Sequence, residues 1–75
     1  MTLPRDHVSA ILSDCATPGG SIFGALRGLG YSAKARGRVT LDALHVAAAC
    51  DPSLRGPMPR AVRVARALDL AGYVA

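Results

Sequence analysis

The chain contains no glutamate and no tryptophan, a single phenylalanine, two tyrosines and only one lysine in 75 residues. Each scarcity excludes something. With carboxylates confined to five dispersed Asp residues, no pair is spaced for general acid and base work, and no serine sits in a nucleophile motif, so enzymatic activity is not expected. Few large side chains mean a thin core, and a chain this short leaves much of its surface exposed, so a homodimer is expected. No apolar run approaches the roughly 20 residues that span a bilayer, and no membrane partner is expected. Only two cysteines occur, Cys15 and Cys50, far apart and without a secretory signal ahead of them. Two reduced, buried thiols in a cytoplasmic protein are the default reading, with a disulfide between the first and a later helix as the alternative. His7 and His45 make no metal-ligand spacing with either cysteine, so neither metal nor cofactor is expected.

What the chain does have is arginine. Eight Arg and one Lys against five Asp leave a net charge of +4. From Lys34 onward seven cations face three acids, an asymmetry that suits a polyanionic partner, nucleic acid before anionic membrane. The plainer reading is a basic surface that keeps a small protein soluble.

Helical spacing organises the rest. Residues 4–16 put Val8, Ile11, Leu12 and Cys15 on one face, with Asp6 in the first turn where the helix dipole favours it. Thr17-Pro18-Gly19-Gly20 ends that helix. Ser21 is placed to cap a short second helix through Ile22, Phe23, Leu26 and Leu29, stopped by Gly30, with Gly24 and Gly28 each costing about 1 kcal/mol relative to Ala. From Tyr31 to Thr40 the polarity predicts a basic loop that closes in a few extended residues at Arg38 and Val39. Thr40 then caps a third helix, with Leu41, Leu44, His45 and Ala48 along one face, ended by Asp51-Pro52. Residues 53–58 are expected to form a stiff, proline-bearing link.

The final helix, about 59–71, carries Arg60, Arg63 and Arg66 on one side and Ala61, Val64, Ala65 and Leu68 on the other. Pro59 suits its first position, Gly72 its left-handed stop, and Tyr73-Val74 the start of a short strand. A three-arginine face of this kind fits along a phosphate backbone or in a DNA groove.

The stretch Val39-Thr40-Leu41-Asp42-Ala43-Leu44, a turn, then Ala61 to Leu68 closing in Ala71-Gly72-Tyr73-Val74 resembles the second and third helices of winged helix-turn-helix DNA-binding domains. The resemblance covers about half of the chain. It implies one mainly α domain over residues 1–75, four or so short helices with a minimal β-ribbon that pairs the Val39 region with the Val74 region. It implies a small repressor-like regulator of phage, plasmid or bacterial type that binds double-stranded DNA. Arg60, Arg63 and Arg66 would lie on its recognition helix, Arg55 at the edge of the turn, and Lys34, Arg36 and Arg38 on a loop that grips phosphates. The alternative is a small protein that covers a host protein with its basic surface and does not bind DNA.

Overall fold

The computed structural model of the chain describes residues 1–49 and 58–75. Among these residues four helices form and no strand: α1 (Arg5–Cys15), α2 (Ile22–Gly28), α3 (Ala33–Ala48) and α4 (Arg60–Leu70). α1 packs on α2 and α4, and α3 packs on the same two, so the helices close a ring around one core. That core takes a side chain from every element: Ile11 and Cys15 from α1, Leu26 from α2, Val39 from α3, Leu68 from α4, and Leu3 and Tyr73 from the flanking segments. A smaller contact sets Ala43 of α3 against Ala67 of α4, where two methyl groups let the helix axes approach closely.

The helix ends follow local chemistry. Ser21 accepts from the Gly24 N–H at 3.0 Å and caps α2 as the sequence requires. α2 stops in a hydrogen-bonded cap in which Gly30, at φ +90°, donates to Arg27 and Tyr31 donates back to Leu26. α4 stops the same way, with Gly72 at φ +86° and the Tyr73 N–H on the Leu68 carbonyl at 2.9 Å. At the end of α1, Gly20 lies so close to the Asp14 carbonyl that an added Cβ would sit 1.8 Å from that oxygen. No larger residue fits there without moving the backbone.

Two sequence expectations are corrected. The basic stretch before Thr40 is helix rather than loop: Ser32 caps it by accepting from the Ala35 N–H at 3.2 Å, and α3 runs unbroken from Ala33. Thr40 is therefore interior, with its hydroxyl donating to the Arg36 carbonyl at 2.8 Å. The reason is that Ala, Lys and Arg are strong helix formers, so one interior Gly37 does not break the run. The β-ribbon is likewise absent from the described residues. Val39 is fully buried on the inner face of α3, and the Val74 segment passes through a single backbone bond, Leu3 N–H to Tyr73 carbonyl at 2.8 Å, that clasps the two ends of the chain together. No described helix is long and apolar enough to cross a membrane.

Candidate nucleic-acid interface

The turn between α2 and α3 comprises only Leu29, Gly30, Tyr31 and Ser32. Its left-handed Gly30 reverses the chain, and Tyr31 is pinned from below. The Tyr31 hydroxyl meets His7 Nδ1 at 2.6 Å, with the two rings edge-on at 5.5 Å. A short helix and a second, longer helix are thus paired through a tight glycine-bearing turn.

α3, the second helix of that pair, is 16 residues long, about 24 Å. Its inner face carries Val39 and Ala43, while Lys34, Arg38, Leu41, His45 and Ala48 are exposed at helical spacing along its outer side. Both cations of this stripe sit in its N-terminal half. Lys34 and Arg38 line one shallow hollow together with Ser32 and Ala35, and Arg38 also borders a cleft with Asp42 and Tyr73. There the Tyr73 hydroxyl donates to Asp42 Oδ2. Burial first, then the hydrogen bond to Asp42 and its negative charge, push the Tyr73 phenol above its ordinary value, with Arg38 opposing them.

Arg36 departs from the stripe. It is half-buried and lies with its guanidinium 5.0 Å from the Phe23 ring centre, and its Nε is buried without a hydrogen-bond partner. The aromatic face takes the place of an acceptor. Arg36 therefore fastens α3 to α2 rather than facing outward.

The three arginines of α4 are all exposed. Arg60 bends back to donate from Nη1 to the Gly20 carbonyl at 2.5 Å. Arg60 and Arg63 border a trough between α3 and α4. Arg55, Cys50, the Asp51-Pro52 stop and the proline-bearing link up to residue 57 lie outside the described residues. Cys15 is a free, buried thiol, pushed up from its ordinary value chiefly by burial, with Arg60 lowering it and Asp14 raising it. Among the described residues no three His, Cys or Asp side chains gather to hold a metal ion.

Sequence reasoning assigned functional weight to Lys34 and Arg38 but put them on a loop; the signal that places them on a helix is the Ser32 cap, which accepts from Ala35 three residues on. It did not anticipate that only four residues, with Gly30 at positive φ, join α2 to α3. Comparison with known proteins returned no matching family model, no matching curated protein and no matching solved structure.

Proposed function

We propose that this chain binds double-stranded DNA as a small transcriptional regulator, with α2, its four-residue turn and α3 as the DNA-binding unit and α3 as the helix that enters the major groove. One observation carries the reading: the tight Gly30 turn delivers a helix whose exposed stripe bears Lys34 and Arg38 in its N-terminal half. That is the half of a recognition helix whose side chains reach base edges. Arg38 is suited to guanine or to phosphate, and Lys34 to phosphate as a point charge. Leu41, 54% exposed one turn on, offers an apolar contact of the kind made with a thymine methyl.

The winged-helix resemblance assigned this role to α4. α3 is preferred because Arg60 is engaged on the Gly20 carbonyl, whereas Lys34 and Arg38 stand exposed on one stripe. Arg63 and Arg66 then add to the positive field that steers a polyanion toward the net charge of +4. DNA binding implies a cytoplasmic protein. Reading two half-sites about 34 Å apart implies a homodimer.

Gel-shift titration of the Lys34→Ala/Arg38→Ala double variant against genomic and random duplexes tests the assignment. Affinity falls at least tenfold while Arg66→Ala loses far less. Equal losses, or no shift by the parent protein, would overturn it.

A further inference from the structure

A cleft of about 250 Å³ lies where the middle of α3 meets the segment that follows α4, lined by Met1, Arg38, Asp42, Ala71, Gly72 and Tyr73. Its walls carry opposite charges. Arg38 and Asp42 stand one turn apart on α3, while Ala71 and Gly72 bring to the same cleft the C-terminal end of α4, the negative end of that helix's dipole. The acid is held in place. Tyr73 is only 4% exposed; its N–H donates to the Leu68 carbonyl, its carbonyl accepts from Leu3, and its hydroxyl donates to Asp42 Oδ2. A carboxylate accepts at both oxygens, so Asp42 can take a further donor from the cleft. A direct pair between Arg38 and Asp42 is the weaker arrangement on a helix, because the base lies one turn N-terminal to the acid.

We propose that this cleft binds a small zwitterion of the α-amino acid class, with its carboxylate on the Arg38 guanidinium and its ammonium on Asp42 and the carbonyl end of α4. Charge selects the class. A simple anion meets the Asp42 carboxylate and the negative end of the α4 dipole, and a simple amine meets the Arg38 guanidinium. A molecule that bears both charges close together satisfies both walls. Size limits it further: drug-sized ligands fill pockets of about 300–1,000 Å³, so a cleft of about 250 Å³ takes something smaller. Arg38 also lines the hollow that it shares with Lys34 on the outer stripe of α3, so one guanidinium serves both places. Occupancy of the cleft therefore withdraws Arg38 from a duplex. That consequence rests on the DNA reading of α3; the site itself does not.

The test is amide-resolved NMR titration of the full chain with alanine, serine, valine and leucine near neutral pH, each beside the amine that lacks its carboxylate and the acid that lacks its ammonium. At least one amino acid shifts Arg38, Asp42, Gly72 and Tyr73 with a Kd tighter than about 1 mM, and both of its truncated counterparts bind at least tenfold more weakly. Asp42→Asn, which keeps an acceptor for the Tyr73 hydroxyl, loses the preference for the ammonium but keeps that for the carboxylate. Arg38→Gln does the reverse, and its exposed position keeps the test standing should circular dichroism show Asp42→Asn unfolded. No saturable shift of these amides, a truncated counterpart that binds as well as its amino acid, or folded variants with the parent's preferences would overturn the proposal. Saturating amino acid also lowers the parent's affinity for duplex DNA, and an unchanged affinity would overturn the ion pair with Arg38. A parent that binds the amino acid but no duplex would overturn the DNA reading alone.

Discussion

The two ends of α4 treat their surroundings in opposite ways. At its C-terminal end Leu68 and Tyr73 are buried, the Tyr73 hydroxyl is taken by Asp42, its backbone carbonyl by Leu3, and its N–H by Leu68. At its N-terminal end Arg60, Arg63 and Val64 line a trough at whose mouth Phe23 and Leu44 are exposed. One end closes a small core; the other leaves apolar surface and positive charge side by side. In a chain with so few large side chains, burial concentrated at one end is what lets the other stay open.

The difference is measurable by mutation. Leu68→Ala empties a fully buried site and lowers stability by about 3 kcal/mol, whereas Leu44→Ala at the trough mouth changes it by less than about 0.5 kcal/mol, both from urea unfolding. Equal costs would erase the contrast between the two ends. Gly20→Ala comes next, at about 2 kcal/mol, because its Cβ meets the Asp14 carbonyl and the turn that Arg60 holds must shift.

Smaller again is Tyr73→Phe, about 1 kcal/mol near neutral pH for the lost hydrogen bond to Asp42. It also carries a pH signature. The folded phenol is raised above its ordinary value of 10.0, so the unfolded chain releases that proton first and stability falls as pH rises past about 10. Cys15, raised from 9.0, adds to the loss in the same direction. Urea midpoints from pH 7 to 11 therefore decline less steeply in Tyr73→Phe than in the parent. A matching decline would mean that the clasp does not hold the phenol protonated. The smallest effect on folding belongs to Lys34→Ala/Arg38→Ala, within about 0.5 kcal/mol of the parent, since both side chains lie on the exposed stripe.

Much of this architecture is written locally. The spacing Val8, Ile11, Leu12, Cys15 marks α1, the Ser21 cap and Gly30 stop bound α2, and the Leu68 face with Gly72 marks α4. α3 was legible only in its second half. Its inner face passes through Ala35 and Arg36 before it reaches Val39, so apolar periodicity fades where the helix in fact begins, and helix propensity with the Ser32 cap decides instead. Val39 and Val74 read as strand because β-branched residues favour strands, yet tertiary burial on α3 governs Val39. For the site, sequence identified the cations but not their directions. Arg60 turning back to Gly20, a contact 40 residues away in the chain, and Arg36 settling on Phe23 are tertiary events that no helical wheel of one segment contains.

The most direct check on the central claim is the salt dependence of duplex binding, followed by fluorescence anisotropy from about 50 to 200 mM salt, for the parent protein and for Lys34→Ala/Arg38→Ala. The parent's log affinity falls linearly with log salt, with a slope of about −0.9 for each phosphate neutralised. The double variant flattens that slope by about two. A parent that shows no binding, binding indifferent to salt, or a double variant with the parent's slope would contradict the assignment of α3 as the DNA-binding helix.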